Sequence, residues 1–279
     1  MPDCTYPRIP DSAAWHAQLH LRFEDDGGTT RLTGRAHSGP LRVQKPLYPE
    51  GPRICHAIVI HPPGGIVGGD QLAITAEGAR RATLSLLLLA RPSGTGPTAI
   101  SRPSKCAWRA AARSVIEWMP QEAIFSTGRK CAWCTRSNWR RTRYIGCEIL
   151  CFGRSASGER YAHGQVAQRT SIRCGGKLLW WEQGVLHGGG AAMHSATGLG
   201  GATVCATLTA VGALPLTALM GAVRAIDPAL AATQIKSVFC ARLLCADSEQ
   251  ARRVMTRVWQ ALRPHLLGCA APVPRIWNT

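Results

Sequence analysis

Carboxylates are scarce in this chain. Its 16 Asp and Glu face 33 Lys and Arg, giving a formal charge of +17. Few acids are therefore on hand for general acid–base chemistry, and other catalytic signatures are missing as well. No serine sits in a GxSxG context, no HExxH occurs, and no nucleophile, base and orienter stand together. Long apolar runs are also absent: Leu86 to Ala90 falls far short of the roughly 20 residues of a membrane span. The start, Met1-Pro-Asp-Cys-Thr-Tyr-Pro, has no basic region followed by an apolar one, which predicts no export and a cytoplasmic protein. These gaps point to a binding protein rather than an enzyme or a membrane protein.

Cysteine is plentiful, with 12 in 279 residues. In a long chain without an export signal they are expected as reduced thiols, and Cys147, Cys151, Cys205 and Cys240 interleave with Ile, Leu, Val and Phe as small core hydrophobes. Cys131-Ala-Trp-Cys134 is half of a zinc set at most, because a structural site needs four ligands and no second CxxC occurs. The basic excess is uneven: between Arg91 and Arg143, 11 Lys and Arg face 2 acids, with Trp108, Trp133 and Trp139 interspersed. Such a patch would suit single-stranded nucleic acid, which makes a basic nucleic-acid-binding protein the alternative function.

The most constrained stretch runs from His61 to Asp70. Cys55 to Ile60 enters as a β-branched strand, and Gln71 to Ala76 leaves with Leu72, Ile74 and Ala76 alternating. Between them Pro62 and Pro63 stop the ladder, while Gly64, Gly65, Gly68 and Gly69 allow close approach or positive φ around Ile66-Val67. A phosphate cradle is a poor fit, since no helix and no Lys-Ser/Thr pair follows. A tight connection, or a metal or partner surface carrying one charge at Asp70, fits better.

Strands dominate the rest. Ala17, Leu19, Leu21 and Phe23 share one parity in a hairpin strand that returns over Thr29 to Ala36; Leu41–Gln44, Ala82–Leu89, Ile145–Phe152, Gln165–Ile172, Lys177–Leu186 and Thr203–Val211 follow. Glu148 stands in an otherwise apolar strand, so it should point inward and need Arg154, a backbone amide or a metal as partner. Helices are expected over Leu214–Ile226 and from an N-cap at Asp247 to Pro264. The expected fold is mainly β, with many short strands in stacked sheets and a small helical part near the C-terminus, forming a single unit over residues 1–279. His187-Gly-Gly-Gly-Ala-Ala-Met193-His194 reads as a flexible loop with two solvated histidines rather than as ligands for nickel or copper.

The His61–Asp70 block resembles the PPGG-x-x-GGD signature of the urease accessory protein D family (UreD, also called UreH). His37-Ser-Gly-Pro-Leu-Arg-Val-Gln44, Glu117-Trp-Met-Pro-Gln-Glu122, Glu148-Ile-Leu-Cys-Phe-Gly-Arg154 and Pro274-Arg-Ile-Trp277 follow in that family's order. The resemblance implies a non-catalytic chaperone that binds apo-urease and, with accessory proteins F and G, supports GTP-dependent nickel insertion. Protein G would be the GTPase, and a separate metallochaperone would deliver the nickel. It also implies no permanently bound cofactor, only nickel in transit, and Asp70, Glu122 and Glu148 as candidate metal contacts. Residues 90–113 and 126–142 leave the family pattern abruptly and resemble out-of-frame translation of G+C-rich DNA. On that view strands needed by the core are lost, and a non-functional product of a degraded gene is a further alternative.

Overall fold

The structure is a computed structural model that describes residues 16–63, 70–88, 104–128, 130–139, 143–154, 157–214 and 216–278. The glycines of the His61–Asp70 block, Gly64, Gly65, Gly68 and Gly69, lie outside these. The fold is mainly β, with two sheets and few helices.

A hairpin of β1 (His16–Asp26) and β2 (Thr29–Ser38) opens the chain, with the apolar parity of β1 buried as its alternation dictates. Past the short β3 (Arg42–Val43), the chain switches sheet at almost every strand. β4 (Ile54–Ile60), β6 (Thr83–Leu88), β8 (Val115–Pro120) and β11 (Arg143–Phe152) pair in parallel in one sheet. β1, β5 (Gln71–Gly78), β7 (Ser104–Ala110), β10 (Lys130–Trp139) and β12 (Gln165–Cys174) do so in the other. Each winding thus adds one strand to each sheet, a stacking of layers in the manner of a solenoid.

Antiparallel strands finish both sheets. β13 (Lys177–His187) closes the seven-stranded one; β14 (Val204–Val211), β15 (Leu230–Ile235) and β16 (Val238–Cys245) extend the nine-stranded one, and the short β9 (Ala123–Phe125) pairs with β11. Strands buried on both faces, such as β4 and β6, lie in the middle layer and read as continuous apolar runs. One core fills the space between the sheets, including Leu19, Phe23, Ile74, Leu86, Trp108 and Trp118. A second lies between the nine-stranded sheet and α2 (Leu216–Arg224) and α3 (Ser248–Leu267).

Three expectations are corrected. The described parts of the two aberrant stretches do form strands: β7 and β10 pair with each other inside the seven-stranded sheet. Ser104, Cys106, Trp108 and Ala110 are buried while Lys105 and Arg109 are exposed, an alternation hidden when Arg91 to Arg109 is read as one run. Pro264 does not end α3, which continues to Leu267 and closes on Gly268 in the left-handed conformation. The segment after His187 is packed: Gly188 and Gly189 press on the backbone of His163 and Ala162, where a Cβ would collide, and the short α1 (Ala191–His194) buries Met193.

Candidate functional site

Parity on β11 sends Ile145, Cys147, Ile149 and Cys151 toward the helices, and Tyr144, Gly146 and Glu148 toward the other sheet. Glu148 is thereby aimed inward, as expected, but its partners are not Arg154, which is exposed beyond the strand end. Its Oε1 accepts from Thr135 Oγ1 at 2.7 Å and Trp133 Nε1 at 3.4 Å, and its Oε2 accepts from Gln168 Nε2 at 2.9 Å. Burial pushes its pKa above the ordinary carboxylate value, the three donors oppose that, and the Glu182 charge adds to it. Gly146 is required here, because a Cβ would sit 1.9 Å from the Tyr144 hydroxyl oxygen.

Glu148 shares a polar cavity between the sheets with Glu182, Gln168, Thr170, Thr207 and Thr209. Glu182 pairs with Arg242 at 2.5 Å, and Arg242 donates to Thr207 at 3.1 Å. Two carboxylates thus face a lining of hydroxyls and amides within otherwise apolar layers, Glu148 held by three donors and Glu182 by the Arg242 guanidinium. Glu182, Arg242, Thr135 and Gln168 were missed in the sequence. The available signal was Gln168 and Thr170 sharing a parity with Val166 and Ile172, two polar side chains on an inward face.

Asp70 is buried just before β5 rather than displayed, at 5 % exposure. Pro62 and Pro63 are exposed in the turn leaving β4. His61 is equally buried, and its Nδ1 has no hydrogen-bond partner among the described residues. Burial holds the His61 imidazole below its ordinary pKa, and the Asp70 carboxylate pulls it the other way. Glu122 follows β8, and both its oxygens accept from Arg252 of α3, at 2.6 and 2.5 Å. The three candidate carboxylates therefore occupy separate places, and among the described residues no three or more His, Cys, Asp or Glu form a metal-holding group.

Other candidates resolve simply. Cys131 and Cys134 are three apart on β10, so they point to opposite faces, and both are free thiols. Burial pushes the Cys151 thiol up to about 12 and the Cys240 thiol up to about 11, which keeps them neutral and inert as core residues. His187 and His194 are exposed. No helix among the described residues is long and apolar enough to cross a membrane.

Comparison with known proteins agrees with the motif order. The model of the UreD urease accessory protein family matches residues 16–278. Urease accessory protein UreD of Janthinobacterium sp. (strain Marseille) is 51 % identical over 276 residues, covering 94 % of this chain and 91 % of that protein. The Nitrosospira multiformis protein of the same name is 41 % identical over 288 residues, covering 94 % and 97 %. That of Azoarcus sp. (strain BH72) is 41 % identical over 271 residues, covering 95 % and 94 %. With that match spanning both sheets and the C-terminal helices, this chain belongs to the UreD urease accessory protein family, whose role is in urease maturation.

Proposed function

We propose that this chain is a non-catalytic chaperone of the cytoplasm that binds apo-urease and, with accessory proteins F and G, supports GTP-dependent insertion of nickel. Family membership across residues 16–278 carries this reading. Nickel is the cargo, brought by a separate metallochaperone. The Glu148 and Glu182 cavity supports a passage through the protein, since oxygen donors and a carboxylate of raised pKa hold a borderline divalent ion loosely enough to release it. Asp70 and Glu122 are further contacts on this view, Glu122 only if Arg252 swings away.

The partner half is tested by co-expression. Capture of apo-urease or of accessory protein F supports it, and capture of neither sinks it. Salt-resistant, sequence-selective binding of nucleic acid would favour the alternative instead. The transfer half is tested by Asp70→Asn, which keeps size and most hydrogen bonding while removing the charge. Soluble yield and binding to protein F should be retained while the nickel content of urease falls. A well-folded variant that loads nickel normally removes Asp70 from the transfer path.

A further inference from the structure

The outward face of the seven-stranded sheet carries a spread of cations. Register places the side chains in rows across the strands. Lys105 stands in one row with Arg169; Arg136 stands in the next; Arg22, Arg109 and Arg173 stand in the third. Glu77 is the one carboxylate in the three rows, and it pairs with Arg109 at 3.3 Å. From β1 to β12 these cations span four strand spacings, about 19 Å. Within each row an uncharged residue or Glu77 separates the cations, Cys134 between Lys105 and Arg169 and Asn138 between Arg109 and Arg173, so positive charge is spread across the face with one carboxylate to offset it.

Between the cations the outward positions are small: Ala73, Thr75, Ala107 and Ser171 hold the face flat. Its aromatic, Trp181 on the edge strand β13, is 48 % exposed and has the Arg169 guanidinium over its ring at 5.3 Å, so a cation already lies against one side of that ring. A flat, cation-studded sheet with a single aromatic at its edge matches a flat surface of carboxylates better than a polynucleotide strand, whose successive bases take a series of rings to stack on.

We propose that this face is the docking surface for an acidic patch on a partner protein, with Lys105, Arg109, Arg136 and Arg169 as its central contacts. This deepens the chaperone reading, and rests on it only for which protein supplies the patch. The test uses the full chain with labelled poly-L-glutamate, single-stranded oligothymidylate of matched charge, and apo-urease. Lys105→Glu with Arg136→Glu alters the face at two exposed side chains. Arg257→Glu with Arg275→Glu makes the same net change on the helical side, and melting temperatures show that both variants fold.

The face variant should bind poly-L-glutamate at least about tenfold more weakly, the control variant should keep most of its affinity, and apo-urease capture should follow the same order. Equal losses in the two variants would reduce the effect to net charge and overturn the proposal. So would tighter binding of oligothymidylate that depends on the same face, or undiminished apo-urease capture by the face variant. If the unaltered chain captures no apo-urease, the chaperone reading fails, and the two polyanions still decide what this face recognises.

Discussion

Arg263 is the most demanding single residue in the chain. It is fully buried on α3, and its guanidinium donates to Glu50 at 2.5 and 2.8 Å and to Glu117 at 2.9 and 3.1 Å. Trp259 Nε1 also donates to Glu117, and His56 meets Glu50, each at 2.9 Å or less. Burial alone would raise the Glu50 pKa, but the His56 and Arg263 bonds outweigh it and hold the carboxyl below its ordinary value. Stability from Glu50 is therefore present above the ordinary carboxylate pKa and is lost as pH falls through the lowered folded one. Removing the cation should be severe: Arg263→Ala strands two buried carboxylates and is expected to cost about 3–5 kcal/mol, read from urea unfolding. A loss under about 1 kcal/mol would mean that water reaches the pair.

Glu148 has the opposite sign. Its folded pKa is raised, so stability declines as pH climbs from the unfolded carboxylate value, about 4.3, through the folded one, and then levels. Glu148→Gln should flatten that decline, with the variant gaining on the parent as pH increases. Melting temperatures of both across pH 4 to 8 provide the check, and parallel curves would contradict the burial argument.

Helix α3 is the element most legible in the sequence. Asp247 accepts from the N–H groups of Glu249 and Gln250 at 3.1 and 3.0 Å, so Asp247→Ala should destabilise by about 1 kcal/mol in thermal unfolding. The face read from spacing, Ala251, Val254, Met255, Val258 and Leu262, is the buried one. The helix runs past Pro264, which lacks an N–H but tolerates a last turn, and Gly268 then supplies the positive φ that stops it. β15 and β16 have no counterpart in the sequence reading; β16 is held by its pairing with β14, and β15 by its pairing with β16 at the sheet edge.

At the scale of the whole molecule, β7 and β10 hold the centre of the seven-stranded sheet although they fall largely within the stretches read as leaving the family pattern, and the family match runs through both. Alternation is a two-letter constraint, so a strand is satisfied by Cys106 and Trp108 facing in, whatever frame supplied them. If the frame-shift reading holds, another reading frame of the coding DNA restores the family pattern within residues 90–113. If none of the three frames does so there or over 126–142, the frame-shift idea is wrong and the divergence is this protein's own.

The sequence by itself determined the mainly β class, most of the strand parities, the inward aim of Glu148 and the cap at Asp247. Each follows from contacts or periodicities that span a few residues. It also carried the family, through motif blocks in order. Tertiary structure alone decided which sheet each strand joins, because successive strands alternate between sheets and nothing local records that choice. It likewise decided that Glu148 meets Thr135 and Gln168 instead of Arg154, that Glu182 shares its cavity, and that Arg263 binds a glutamate 213 residues away. Those pairings cross from one layer to another, and a charge's partner across layers is set by register and stacking, which the chain fixes only when it folds.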